Sequence, residues 1–283
     1  MCLLILILAY FLFILFLSTL FYPMPINDSG LVRYRTIPWA TLTLIVLNTL
    51  IFVFWIGPDL YGSEEGMTLD PSWDYVGKIN YYGFNEARVR AGAGVGAIVT
   101  FTSMFMHADF WHLFGNMIYL WTFGRRVEDA CGSWRFLLFY LIAGMIAHMG
   151  SVLFNPTIDT LPAVGASGAI AGVMGAYLFL FPGTWVTCLW GIGMILRLPI
   201  AAVLIIIGKE VRLWRWTIPL PAWVLLIWFV IQSTLPSLEV IQSNEEIAGV
   251  NHLAHLTGFL AGLLIFLFVR KDLLLRYVSG RSL

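Results

Sequence analysis

The sequence predicts an all-α polytopic membrane protein, with a core of six transmembrane helices preceded by one N-terminal transmembrane helix. Of its 283 residues, 60% are apolar and only 11% are charged, whereas a soluble domain carries about a quarter charged residues. The mean hydropathy is +0.86. Several apolar runs are also long enough to cross roughly 30 Å of hydrocarbon.

Composition excludes several classes of function. The formal net charge is zero, so no nucleic-acid partner is predicted. Three cysteines, Cys2, Cys131 and Cys188, are scattered without paired spacing, which argues against a disulfide framework or a cysteine zinc site. The chain has no HExxH motif, and its five histidines are poorly spaced for ligation. Neither a metal nor a cofactor is therefore predicted.

Residues 1–30 are interpreted as a hydrophobic anchor and linker. The run 3–22 is apolar over about 20 residues, enough to span a bilayer. No Lys or Arg precedes this run and no small-residue cleavage motif follows it. A retained anchor is therefore favoured over a cleaved signal peptide.

Residues 31–270 are interpreted as the six-helix core, followed by a cytoplasmic tail at 271–283. A large outer loop is expected at 57–96, because this segment is the most polar part of the chain. Apolar periodicity and length predict the core spans at 39–56, 111–123, 134–154, 166–181, 221–235 and 248–269.

The distribution of basic residues predicts the orientation. If the start of the fourth core helix faces outside, the inner side holds every Lys and Arg except Lys78, Arg88 and Arg90. This balance requires that the apolar segment 192–207 does not cross the membrane. The insertion 183–219 is therefore expected at the cytoplasmic side, with an interfacial or re-entrant element.

Ser167 lies among small residues at the start of the fourth core helix. Taken alone, this pattern is typical of a helix cap or a small-residue packing face. The alternative is a nucleophile at a helix N-terminus, where free backbone N–H groups can stabilise an oxyanion. The alternative requires a general base at the same depth, which His255 can supply from the last helix.

Glycine spacing predicts that these two helices approach closely. Small residues allow a serine–histidine hydrogen bond between helices, although they would equally serve plain helix packing. The glycines at helical spacing are Gly168, Gly172 and Gly175 on the serine helix and Gly258 and Gly262 on the last helix.

His112 and Asn116 lie one turn apart and share a helix face. Both could donate to an oxyanion, or both could simply bond neighbouring carbonyls. His107 falls on a different face, so a structural role is expected for it. No Asp or Glu lies in the apolar interior of a core span, which favours a serine–histidine dyad over a triad.

Four motifs, in this order, resemble those of the rhomboid family of intramembrane serine proteases, and the resemblance covers residues 39–269. The motifs are His112-Leu-Phe-Gly-Asn116 with His107 upstream, Gly124-x3-Glu128-x3-Gly132, Gly165-Ala-Ser167-Gly168, and Ala254-His255-x2-Gly258-x3-Gly262. Two departures are the missing Trp-Arg pair in the first long loop and Ala171, where some members place an aromatic residue against the base.

The resemblance implies a rhomboid-like core with Ser167 as nucleophile and His255 as base. It implies an oxyanion hole of His112, Asn116 and the Ser167 N–H. It also implies that Glu128 ties the loop after the second core helix. The implied setting is the lipid bilayer, with a water-filled cavity open to the outer face and transmembrane protein substrates.

The prediction is an intramembrane serine endopeptidase of the cell (inner) membrane, with its active site open to the outer face. The alternative is a non-catalytic rhomboid-like protein that binds transmembrane helices, but the presence of both Ser167 and His255 favours the protease. A transporter would need buried paired charges or repeated halves, and the sequence has neither. Substrate identity and oligomeric state are left open.

Overall fold

The computed structural model describes residues 10, 23–28, 37–62, 75–91, 96–155, 162–190, 199, 201–208, 217–243 and 251–269. Apart from residue 10, the predicted N-terminal anchor lies outside these residues, as does the predicted tail. The chain divides into two compact units. One comprises Met1–Val32 and Gly183–Leu225, and the other comprises Arg33–Pro182 and Leu226–Leu283.

The larger unit is helical. Its helices are α1 (Trp39–Ile51), α2 (Gly57–Gly62), α3 (Tyr75–Tyr82), α4 (Glu86–Arg90), α5 (Gly96–Thr102), α6 (Phe110–Tyr119), α7 (Arg125–Cys131), α8 (Ser133–Phe154), α9 (Ser167–Leu180), α10 (Ala222–Ser243, whose residues up to Leu225 belong to the other unit) and α11 (His252–Val269). π-helical turns at Phe52–Ile56 and Leu120–Gly124 join α1 to α2 and α6 to α7. Helices therefore fall on all six predicted core positions.

Four helical segments in the described part of the chain are long and apolar enough to cross a membrane. They are Trp39–Tyr61, Ser133–Phe154, Ala222–Glu239 and His252–Val269. Helix α9 is also apolar but shorter than these four segments. The protein is thus a mostly helical integral membrane protein, while the number of crossings stays a prediction.

Helices α9 and α11 pack with their backbones in direct contact. A Cβ at Gly258 would overlap the Gly168 carbonyl oxygen, and one at Gly262 would overlap the Gly172 carbonyl oxygen. Glycine is required at both positions because any side chain would push the two helices apart. The faces in contact are those that the glycine spacing predicted.

Glu128 caps a distant helix. Pro38, the residue before α1, makes no side-chain cap. The fully buried Glu128 carboxylate instead accepts hydrogen bonds from the backbone N–H groups of Ala40 and Thr41, both at 2.8 Å, and from Thr41 Oγ1 at 2.7 Å. A carboxylate at a helix N-terminus satisfies free donors and complements the helix dipole. It ties the segment after α6 to α1.

The smaller unit contains an antiparallel sheet, which corrects the all-α prediction. Its strands are β1 (Met24–Asp28), β2 (Trp185–Leu189) and β3 (Thr217–Pro221), in the order β1-β2-β3. Proline lacks a backbone N–H and is confined to edge strands. Accordingly, β1 and β3 contain prolines and form the edges, while the central β2 has none. The described remainder of the insertion includes helical residues 201–206.

Candidate active site

The structure brings Ser167 and His255 together. Ser167 is the first residue of α9, and His255 lies in the first turn of α11. His255 Nε2 is 2.7 Å from Ser167 Oγ, although the two residues are 88 positions apart in the chain. This is a hydrogen-bond distance between a hydroxyl and a ring nitrogen, the arrangement in which an imidazole can accept the hydroxyl proton.

The backbone before Ser167 is held by a glycine in a left-handed conformation. Gly165 has a φ of +123°, and its N–H donates to the Ser103 carbonyl oxygen at 2.9 Å. Ala166 is the N-cap of α9, and no side chain makes a capping hydrogen bond there. The first N–H groups of α9, including that of Ser167, therefore point from the helix terminus without a capping side chain.

His112 and Asn116 reach the same segment from α6. Asp109 caps α6 by accepting the His112 N–H at 2.9 Å. A Cβ at Gly165 would lie 2.7 Å from His112 Nε2 and 3.5 Å from Asn116 Nδ2. Among the described residues, the buried Asn116 Nδ2 has no hydrogen-bond partner. It is a preorganised donor beside the residues that lead to Ser167.

His107 supports His112 from behind. The ring is fully buried and lies edge-on to the His112 ring, with 5.2 Å between centroids. Neither ring nitrogen has a hydrogen-bond partner within the described ranges. Burial, and then the neighbouring His112, lower the pKa of His107 to about 3. At neutral pH the ring is therefore uncharged and packs against His112; its structural role stays a prediction.

The aromatic neighbour of the base comes from α10. The Phe229 ring lies 5.8 Å from the His255 ring, tilted by 37°, and 6.1 Å from the Phe259 ring. Position 171 on α9 is a buried alanine. Sequence analysis missed Phe229, because no spacing rule relates a residue on α10 to His255.

A buried carboxylate was also missed. Glu86 belongs to the predicted loop 57–96, where many acidic residues are expected at the surface, yet its side chain is only 2% exposed. Hydrogen bonds between the backbones of Phe84 and Ala163, at 2.7 and 2.8 Å, hold this loop beside the segment leading to Ser167. The Glu86 carboxylate consequently reaches the C-terminal end of α8.

Within the described ranges, no group of three or more His, Cys, Asp or Glu side chains could hold a metal ion. The polar groups around Ser167 are therefore hydrogen-bond donors and acceptors. Their arrangement could serve acyl transfer, because a hydroxyl, an imidazole nitrogen and N–H donors lie around one short backbone segment.

Comparison with known proteins gives the family. The Rhomboid domain family model matches residues 96–272, more than half of the chain. The rhomboid protease GluP of Bacillus subtilis is 43% identical over 79 residues, which are 28% of this chain and 15% of that protein.

Two further relatives come from other organisms. The mitochondrial rhomboid protein 1 of Saccharomyces cerevisiae is 38% identical over 84 residues, 28% of this chain and 24% of that protein. The chloroplastic rhomboid-like protein 11 of Arabidopsis thaliana is 27% identical over 177 residues, 60% of this chain and 51% of that protein. The matches thus cover about half or less of the length of each relative. The family model, however, covers more than half of this chain. The chain therefore belongs to the rhomboid family.

Proposed function

We propose that this chain is an intramembrane serine endopeptidase that works with a Ser167–His255 dyad. The observation that carries the proposal is the 2.7 Å contact between His255 Nε2 and Ser167 Oγ. A hydroxyl is a weak nucleophile at neutral pH, and a ring nitrogen in hydrogen-bond contact activates it by removing its proton. Two helices held together through glycine contacts keep that geometry.

The first half of the reaction is acylation. Ser167 Oγ attacks the carbonyl carbon of the scissile peptide bond while its proton passes to His255 Nε2. The tetrahedral intermediate then collapses, the C–N bond breaks, and the imidazolium gives the proton to the leaving nitrogen. The products are an acyl-enzyme ester on Ser167 and a new amino terminus.

The second half is hydrolysis. His255 takes a proton from a water molecule, which attacks the ester carbonyl carbon. Collapse of this intermediate breaks the bond to Oγ, and the proton returns to Ser167. The released fragment carries a new carboxylate, and the enzyme regains its starting state.

The oxyanion of both intermediates is assigned to donors beside Gly165. These are the Ser167 N–H at the start of α9, the Asn116 amide and the His112 ring. A donor fixed before the reaction costs no reorganisation, and losing one typically lowers kcat by about 10²- to 10³-fold. The buried Asn116 Nδ2, which has no partner among the described residues, supports this role.

The proposed substrates are transmembrane segments of other membrane proteins. Both functional helices, α9 and α11, are apolar, so a peptide bond must reach the site at membrane depth. Backbone without helical hydrogen bonds is tolerated there only beside protein or water. We place the site towards the outer face of the cell membrane, in a six-helix core at 31–270 preceded by an anchor at 1–30.

The test uses a fluorophosphonate probe and a transmembrane reporter with a helix-breaking outer end. Ser167→Ala should abolish labelling, and His255→Ala should abolish cleavage. Ser237→Ala is the matched control, because this buried serine donates to the Ser233 carbonyl within α10. Intact protein that shows no Ser167-dependent labelling would instead be a non-catalytic binder of transmembrane helices.

A further inference from the structure

We propose that Glu86 is a positioning residue for the base. It acts through a chain of hydrogen bonds that runs from its buried carboxylate through Ser151 to Asn251, the residue immediately before α11. This inference rests on the proposed protease function, since it concerns how His255 is presented to Ser167. It assigns a catalytic consequence to a carboxylate that lies in the outer loop.

The chain begins at the Glu86 carboxylate. One carboxylate oxygen accepts a hydrogen bond from Ser151 Oγ, and the other accepts from Asn155 Nδ2 at 3.3 Å. Ser151 is fully buried and lies in the last turn of α8. A polar side chain without water around it contributes most when all of its hydrogen bonds are made.

The next link crosses to α11. Asn251 Nδ2 donates to Ser151 Oγ at 2.9 Å. The Oδ1 atom of the same Asn251 side chain accepts the Ala254 N–H at 2.9 Å, and its backbone oxygen accepts the His255 N–H at 3.2 Å. Asn251 is therefore the N-cap of the helix that carries the base.

The Glu86 carboxylate determines which group donates and which accepts in each of these hydrogen bonds. Ser151 has a single hydroxyl proton, which it donates to Glu86, so its lone pairs are left to accept from the amide of Asn251. That choice keeps the amide oxygen of Asn251 on the Ala254 N–H. Without the Glu86 acceptor, the hydroxyl can turn and the amide can flip, which would place an NH₂ group against the Ala254 N–H.

The cap matters for the base because His255 lies in the first turn of α11. The glycine contacts of Gly258 and Gly262 fix the helix only after His255. The residues before them are held by the cap together with the packing of the buried Leu253 and Ala254 side chains. Each residue of a helix turns by about 100°. Fraying of the first turn would therefore move the imidazole away from Ser167 Oγ while the rest of α11 stays in place.

Arg90 offers a matched control on the same short helix. Its guanidinium donates to the backbone oxygens of Val152 and Asn155, so it also ties α4 to the end of α8. These bonds end on backbone carbonyls and do not pass through Ser151. Arg90→Gln thus tests docking of the loop, whereas Glu86→Ala tests the chain to Asn251.

The experiment measures the rate of Ser167 labelling by a fluorophosphonate, and reporter cleavage, with the full chain in detergent. Glu86→Ala and Asn251→Ala should each slow labelling about 10- to 100-fold, as expected when a reacting group is misplaced by about 1 Å. In cleavage, kcat should fall while KM holds. The variant that carries both substitutions should label no more slowly than the slower of the two single variants, because both substitutions break the same series of hydrogen bonds.

The effect of Asn251→Asp on the labelling rate should change sign when Glu86 is removed, and this change separates positioning from a general loss of stability. Asn251→Asp keeps the capping oxygen but cannot donate to Ser151, so in the presence of Glu86 two carboxylates compete for one hydroxyl proton and labelling should slow. In the Glu86→Ala background, the same change supplies the missing acceptor, and labelling should recover. Thermal unfolding midpoints of all variants show which proteins are folded.

The outcomes distinguish the two proposals. If the unchanged protein is labelled at Ser167 and Glu86→Ala is labelled at the same rate, the positioning role alone is overturned. The same follows if Arg90→Gln slows labelling as much as Glu86→Ala, or if folded Glu86→Ala protein shows no recovery with Asn251→Asp. Absence of Ser167-dependent labelling in the unchanged chain would overturn the protease function and this inference with it.

Discussion

Gly165 lies so close to His112 that a Cβ at position 165 would be 2.7 Å from the Nε2 atom of the histidine. The glycine also has a φ of +123°, a conformation that other residues adopt only with strain. The backbone leading to Ser167 and the donors of α6 are thus in contact through a position that has no room for a side chain.

Gly165→Ala should therefore impair both activity and stability. Strain at a positive φ costs about 1–3 kcal/mol, and the methyl group would push His112 away. We expect a loss of about 10²-fold in labelling rate, by analogy with a 1 Å misplacement, together with a lower unfolding midpoint. Gly115→Ala is the control. Gly115 lies on α6 between His112 and Asn116, and a Cβ added there would have no neighbouring atom within 4 Å. Equal behaviour of the two variants would contradict the prediction.

Asn116→Ala should separate activity from stability. Removal of an oxyanion donor is expected to lower kcat about 10²- to 10³-fold. The buried Asn116 Nδ2 has no partner among the described residues, so its removal takes away a desolvated, unpaired donor. The unfolding midpoint should consequently hold or rise. A fall in the midpoint that parallels the loss of cleavage would show that Asn116 holds the fold instead.

Gly262→Ala should loosen the contact between α9 and α11. The added methyl group would overlap the Gly172 carbonyl oxygen, and overpacking of this kind typically costs about 1–3 kcal/mol. Labelling should slow with the loss of stability, since Ser167 and His255 belong to these two helices. Leu264→Ala, at a side chain that is 58% exposed, serves as the comparison. A Gly262→Ala protein with unchanged unfolding would mean that the helices tolerate separation.

His107 should make stability fall in acid. Burial lowers the pKa of His107 to about 3 from an ordinary value of 6.5. Because the folded pKa is the lower one, the unfolded chain binds the proton first. The contribution to stability is complete above pH 6.5 and is lost as the pH falls towards 3. By pH 5 the loss is about 2 kcal/mol.

The measurement compares the free energy of unfolding at pH 7 and pH 5 for the unchanged chain and for His107→Phe. Phenylalanine keeps a ring against His112 but does not titrate, so the variant should lose part of the pH dependence. The other histidines are present in both proteins, so the difference between the two pH dependences reports on His107 and its contact with His112. An identical pH dependence of the two proteins would refute the buried neutral state of His107.

Much of the helical core was predictable because its signals are local. The spacing of His112 and Asn116, and the glycines at i and i+4 on α9 and α11, follow from helix geometry alone. The glycine spacing predicted the faces through which α9 and α11 are in contact. The spacing of His112 and Asn116 predicted that they share the helix face that lies beside Gly165. The catalytic roles of these residues stay predictions that the labelling experiments address.

What was not predictable depends on tertiary placement. Glu86 sits among other acidic residues in a polar loop, and only the position of α4 against α8 buries it. Phe229 reaches His255 across helices, without any shared spacing. The sheet pairs strands far apart in the chain, and prolines in β1 and β3 hide the usual strand pattern.

The pairing of β1 with β2 has a consequence for biosynthesis. The first strand emerges from the ribosome before any of the helices α1 to α9, and its hydrogen-bonding partner follows all of them. At typical elongation rates the wait is roughly ten to thirty seconds. During that interval β1 offers unpaired amide and carbonyl groups to any passing polypeptide, so closure of the sheet is necessarily a late event in maturation.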